Sequence, residues 1–240
     1  MKVFYNLFLL VCLVFLFSCA INQINEEKTV VTLNTGTEVN PIVISLMKGP
    51  QWAHKITPGP FIIHIYPQVV FWMEDDAGNL LKTLYITGAD GKFTKHATKK
   101  KMDSEFFRKC FPIWSDKIIQ ANQKLPGSSN PYPDAVTSAT PQSSFDVATQ
   151  IGNIKVPFTI YAEINKTGDY NDYYTEDLTD WVGQPSILYS VSVNQINKNQ
   201  SYELTPVGHS NIQQGEPVLM SDFENIDSAL QMVDKIRVTF

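Results

Sequence analysis

Cysteine is scarce in this 240-residue chain, and its three copies cannot form a framework of bridges. Cys12 lies in an apolar leader, Cys19 closes that leader, and Cys110 is left by itself. An intrachain disulfide is therefore not expected in the mature protein, and an apolar core must supply stability. Cys110 stands among Phe106, Phe107 and Phe111, which predicts a buried, inert thiol rather than a nucleophile. Catalytic signatures are missing too. The chain has no Gly-x-Ser-x-Gly elbow, no His-Glu-x-x-His, no Cys-x-x-Cys, no P-loop and no dinucleotide fingerprint. His54, His64, His96 and His209 are too scattered to propose a metal site by local spacing. Positive charge is also short. There are 19 Lys and Arg against 24 Asp and Glu, and Lys2 would leave with the leader, so the mature net charge is −6. That balance offers no basic stripe for nucleic acid and no polybasic surface for anionic lipid. Lys99-Lys100-Lys101, the one cationic cluster, reads as a solvated turn.

What is present begins at the start of the chain. Lys2 precedes an apolar run from Leu7 to Phe17, and small Ser18 stands before Cys19. This order of parts predicts a bacterial lipoprotein signal peptide over residues 1–18, with palmitate-type acylation at Cys19. The run is shorter than the roughly 20 apolar residues of a spanning helix. Residues 19–28 are polar and read as a tether, and residues 29–240 as a single domain. The expected location is the bacterial cell envelope, lipid-anchored at the periplasmic or outer-membrane surface.

Strand signals dominate the mature part. Thr29–Asn34, Pro41–Leu46 and Phe61–Tyr66 are rich in β-branched and aromatic residues. Val69–Asp75 and Leu80–Thr87 flank the turn residues Asp76-Ala77-Gly78-Asn79, which predicts a hairpin. Val156–Ile164 and Ile187–Asn194 alternate apolar and polar positions, as a sheet with one buried face requires. Asp103–Asn122 has a helical pattern that Pro112 divides into two short pieces or a kink. Pro126–Ser144 reads as a long loop, Asp227–Lys235 as a short helix and Ile236–Phe240 as the last strand. The fold class that follows is all-β: an antiparallel, immunoglobulin-like β-sandwich with one or two short helices.

Two segments carry candidate chemistry. Asp169, Asn171, Asp172 and Asp177 cluster oxygen donors on a loop, a composition suited to calcium. The loop lacks EF-hand spacing, so a plain solvated acidic loop is the other reading. Asp134-Ala135-Val136-Thr137-Ser138-Ala139-Thr140 resembles the segment through which exported flavoproteins receive FMN as a phosphoester on threonine. That resemblance implies attachment at Thr140, recognition of Asp134 by a flavin transferase, and a tethered redox cofactor. Ser138 stands where glycine is usual, and the same residues also make a Ser/Thr turn.

A wider resemblance covers most of the mature chain. It runs from Val69-Val70-Phe71-Trp72-Met73-Glu74-Asp75-Asp76-Ala77-Gly78-Asn79, with Leu84-Tyr85, through the Asp134–Thr140 motif. It continues in Phe158-Thr159-Ile160-Tyr161-Ala162-Glu163, Asp169-Tyr170-Asn171-Asp172-Tyr173-Tyr174, Gly183-Gln184-Pro185-Ser186-Ile187-Leu188-Tyr189 and Gly208-His209. These pieces resemble a periplasmic family called domain of unknown function 2271, sometimes compared with immunoglobulin-like domains of flagellar hook-capping proteins. The resemblance implies an extracytoplasmic β-sandwich in genomic company linked to flavin transfer, and no established activity. The function expected is a non-catalytic binding or assembly role, with partners in the envelope. Electron transfer by FMN on Thr140 is the alternative.

Overall fold

The structure, a computed structural model, describes residues 29–32, 40–57, 60, 62–87, 104–126, 136–138, 141–213 and 215–240. The leader, Cys19, Asp134, Thr140 and the Lys99-Lys100-Lys101 run lie outside the described residues. In chain order the first strands are β1 (Thr29–Thr32), β2 (Pro41–Lys48), β3 (His54–Ile56), β4 (Ile63–Ile65), β5 (Gln68–Asp75) and β6 (Leu80–Thr87). Helices α1 (Ser104–Cys110) and α2 (Pro112–Gln120) follow, then β7 (Val136–Ser138), β8 (Phe145–Gln150) and β9 (Phe158–Asn165). Short α3 (Glu176–Thr179) precedes β10 (Ile187–Val193), β11 (Ser201–Gln213), β12 (Glu216–Met220) and β13 (Val233–Thr239).

Mostly antiparallel β-structure with a few short helices is the architecture. Eleven strands join in the order β1-β8-β2-β13-β11-β10-β9-β5-β6-β7, with β12 added to β11, while β3 and β4 pair separately. Among the pairings of the described strands, β1–β8 and β6–β7 are parallel and the others antiparallel. Long β11 connects the two halves. Its first residues, Ser201–Leu204, pair with β13, the stretch from Thr205 to His209 pairs with β10, and its end pairs with β12.

This change of partners lets the sheet wrap around an apolar core. Ile42, Ile44 and Leu46 of β2, Phe145 and Val147 of β8, and Ile236 and Val238 of β13 meet Phe71, Met73, Phe158, Ile160, Ile164 and Ile187 from the other half. The margins also approach, β1 toward β7 and β6 toward β8, so the sheet is curled in the manner of a barrel. Period-two burial is clean on β2 and β8, as a strand with one covered face requires.

Strand β5 differs, because Gln68 through Glu74 are all buried. Val69, Phe71 and Met73 enter the main core. Val70 and Trp72 face a second apolar cluster made with Phe106, Phe107, Phe111, Trp114 and Ile118 of the helical segment. The helices therefore cover the face of β9 and β5 that alternation alone would leave to water. Phe107 of α1 and Trp114 and Ile118 of α2 are all buried in this cluster, and Pro112 does divide the helical segment.

Two expectations need correction. Asp227–Lys235 holds a single 3₁₀ turn, Ser228–Gln231, with β13 already begun at Val233. Pro126–Ser144 includes the short strand β7. The β5–β6 hairpin forms as expected. Asp75 Oδ1 accepts from the Ala77 and Asn79 amides, each at 2.9 Å, and Gly78 takes φ +79°.

Candidate functional site

The β9–β10 connection carries most of the polar chemistry of the described residues. It leaves β9 at Asn165, runs through the acidic stretch and α3, and enters β10 past Gly183-Gln184-Pro185. Gly183 makes the return feasible. At φ +80°, a Cβ there would lie 2.5 Å from the Asp169 amide nitrogen, so the two backbones approach closely only because the side chain is hydrogen. The Gln184 amide then donates to the Asp169 carbonyl at 2.9 Å.

Beneath this loop lies an ion pair. Lys166 Nζ is 3.3 Å from Asp169 Oδ1, with the lysine side chain fully buried, and it also donates to the Gln51 carbonyl at 2.6 Å. Asp169 Oδ2 accepts from Ser228 Oγ at 2.9 Å and from Gln184 Nε2 at 3.3 Å. Gln184 Oε1 in turn accepts from the Asp227 amide at 3.0 Å. Burial lowers the Lys166 pKa while Asp169 pulls against that change. Burial raises the Asp169 pKa against the opposing pull of Lys166 and Ser228. The network joins the β9–β10 connection, the loop after β2 and the 3₁₀ turn before β13.

Above it opens a cleft of about 590 Å³. Gln51, Asp227, Ser228 and Gln231 line it together with Tyr170, Asn171, Asp172 and Tyr173. Asn171 is a structural pin: its Oδ1 accepts from the Tyr173 and Tyr174 amides at 3.0 and 2.7 Å, and its Nδ2 donates to the Asn225 carbonyl at 2.8 Å. Burial raises the Asp227 pKa, but hydrogen bonds from Ser228, Gln184 and Asn171 outweigh it and hold the carboxyl below the usual range. Asp227 is therefore an ionised acceptor at neutral pH.

The four loop residues proposed as calcium ligands are split. Asn171 and Asp172 line the cleft, Asp169 lies under it with both oxygens engaged by protein groups, and Asp177 faces a different groove. That second groove, about 700 Å³, lies between the acidic loop and α1 and is lined in part by Tyr174, Leu178, Pro185 and Ser210. Among the described residues no group of three or more His, Cys, Asp or Glu is arranged to hold a metal ion.

Sequence reasoning missed Lys166 and Ser228 as partners of Asp169, and Gln51 as the carbonyl that accepts from Lys166. Alternation along β9 puts Glu163 on the face opposite Ile160, Ala162 and Ile164, expected to be outward; it is instead fully buried, under α2. Its Oε2 accepts from the Trp114 amide at 2.8 Å and its Oε1 from the Ile113 amide at 3.3 Å, capping the helix at the end where Phe111 offers no side-chain acceptor. Ser186 Oγ lies 2.6 Å from both Glu163 Oε1 and Ser210 Oγ. The only local signal for this role was a carboxylate in a strand of otherwise apolar and aromatic neighbours.

A scan against family models matches none, and searches of curated proteins and of solved structures return no match.

Proposed function

We propose that this chain is a lipid-anchored, extracytoplasmic protein with a non-catalytic binding role, and that the cleft above Lys166 and Asp169 is where it binds. The observation that carries the reading is the construction of that cleft. A buried lysine and aspartate are costly to desolvate, and here they hold together three chain segments that meet at the cleft floor. Such an arrangement fixes the shape of a recognition surface before a ligand arrives, which limits the ordering cost of binding. The resemblance to domain of unknown function 2271, the immunoglobulin-like sandwich and the Cys19 anchor belong to the same proposal. The facing apolar rows around β2, β8, β5 and β9 favour a sandwich description.

The experiment is metabolic labelling with palmitate in a bacterial host, followed by capture of envelope components. The wild-type chain is expected to take up label and stay with membranes, and Cys19→Ala to lose both. Retention of a component by the wild type, lost with Tyr173→Ala, is the second expected result. A Cys19→Ala chain that keeps its label would overturn the anchor, and turnover of a substrate by the purified protein would overturn the non-catalytic role.

Electron transfer through FMN on Thr140 is the second reading. It rests on the resemblance of Asp134–Thr140 to flavin-attachment segments; of that motif, Val136–Ser138 form β7 beside β6. Intact mass after co-expression with a flavin transferase decides it: an FMN adduct present in the wild type and absent in Thr140→Ala is expected. An unmodified chain ends this reading.

A further inference from the structure

We propose that the cleft between Tyr170–Tyr173 and Gln51–Gln231 is a binding site for an uncharged saccharide. The proposal rests on the binding role assigned above and names the class of ligand for that same cleft.

Charge comes first. Among the described residues lining the cleft there is no lysine or arginine, and Lys166 below it is committed to Asp169 and the Gln51 carbonyl. A phosphate, sulfate or carboxylate ligand would find no cation there and would meet Asp172 and Asp227. Apolar lining is confined to Ile226 and the faces of two tyrosines, too little to hold a lipid chain. What the walls do present is carboxamides, at Gln51 and Gln231, and carboxylates, at Asp172 and Asp227. Carboxamides both donate and accept, and carboxylates accept at two oxygens, which suits vicinal hydroxyl groups that both give and take hydrogen bonds.

The aromatic rings supply the other half of sugar recognition. Tyr170 is 37% exposed and Tyr173 55% exposed, so both keep ring surface open to solvent. Neither is loose. Tyr170 Oη donates to the Asp180 carbonyl at 2.9 Å, and the Tyr173 ring meets Tyr174 edge to face with centroids 4.9 Å apart. The backbone at Tyr173 is held by Asn171. An aromatic face carries negative charge density, and the axial C–H groups of a pyranose present a weakly positive, apolar face to it. Anchored rings over a polar floor can therefore grip a sugar from its flat face while the amides and acids read its rim. The cleft's volume, about 590 Å³, lies in the range of small-ligand sites and would take a short oligosaccharide.

A printed array of defined glycans, probed with the full-length chain in detergent, tests this. Neutral glycans are expected to bind, and calorimetric titration with the best of them should show affinity falling by about tenfold in Tyr173→Ala. Gln231→Ala, also exposed in the cleft, should weaken binding without altering the melting temperature. Binding confined to sulfated or uronate-bearing glycans, binding abolished by chelator, or unchanged affinity in Tyr173→Ala would each overturn the proposal. So would an array with no neutral glycan bound. Crosslinking of an envelope protein to Tyr173 on an otherwise silent array would reject the saccharide yet keep the binding role, whereas failure of both would remove that role as well.

Discussion

Replacing Glu163 with alanine is expected to destabilise the protein by about 3 kcal/mol, read as a lowered urea midpoint with unchanged slope. The carboxylate lies under α2 with no exposure to solvent, and it receives the Ile113 and Trp114 amides and the Ser186 hydroxyl. Alanine would leave the Ile113 and Trp114 amides without their acceptor, while Ser186 would keep Ser210 Oγ, and the helix would lose its only side-chain cap at that end among the described residues. Glu163→Gln keeps the shape and one acceptor oxygen but turns an NH2 toward one of these donors, so its loss should be smaller than that of alanine without vanishing.

The glutamine variant also reports on pH. Burial raises the Glu163 pKa from the ordinary 4.5 to about 7, against the opposing pull of Ser186, Trp114 and Ile113. The folded protein thus holds this proton more tightly than the unfolded chain. The stabilisation it provides is complete below about pH 4.5 and is lost as the pH rises through about 7. Over that window the wild type should lose stability on the order of 3 kcal/mol from this group. Glu163→Gln should lack that slope. A wild type and a glutamine variant with parallel pH profiles would show that Glu163 does not titrate in this way.

The second large effect is expected at the buried pair. Asp169→Ala should cost about 3–5 kcal/mol, because Lys166 would be left as an uncompensated charge inside the protein. Its Nζ has Asp169 at 3.3 Å as ion-pair partner and a side chain with no solvent exposure to retreat into. Ser228 and Gln184 would lose their shared acceptor at the same time. The combined Lys166→Met, Asp169→Leu variant should recover most of that loss, since two apolar side chains avoid the desolvation of two charges. The double variant should nevertheless weaken binding in the cleft, because the groups that position Ser228 and Gln51 are gone. A single Asp169→Ala variant within about 1 kcal/mol of wild type would show that Lys166 reaches water by a small adjustment.

Where neighbouring residues decide, the sequence was readable. Asp75 and Gly78 make the β5–β6 turn with their own side chain and backbone, and Pro112 breaks the helix because it has no amide proton. β11 was not readable. Pro206 and Gly208 look like breaks in a strand, yet Pro206 sits opposite Tyr189 at a register shift, and Gly208 admits the Met220 carbonyl where a side chain would collide. The alternation in β9 was visible, and it marked the core face correctly. It could not say that helices from a distant segment would cover the other face.

Asp169 and Asn171 stood out by their oxygen content, and both belong to the cleft region, though as framework. Lys166, Ser228 and Gln51 gave no sign, because a lysine, a serine and a glutamine in polar stretches look the same whether solvated or buried.

By itself, then, the sequence determined that the chain is rich in strands, where its tight turn and helix break fall, and that a disulfide framework is not expected. These follow from covalent geometry, side-chain shape and period, which act within a few residues. Tertiary structure alone decided that Glu163 caps a helix some 50 residues away, that Lys166 is buried against Asp169, and that two tyrosines share a cleft with Gln51 and Gln231. The physical reason is that solvation, and with it the strength of every charge and hydrogen bond, depends on what packs above a residue and not on what precedes it in the chain.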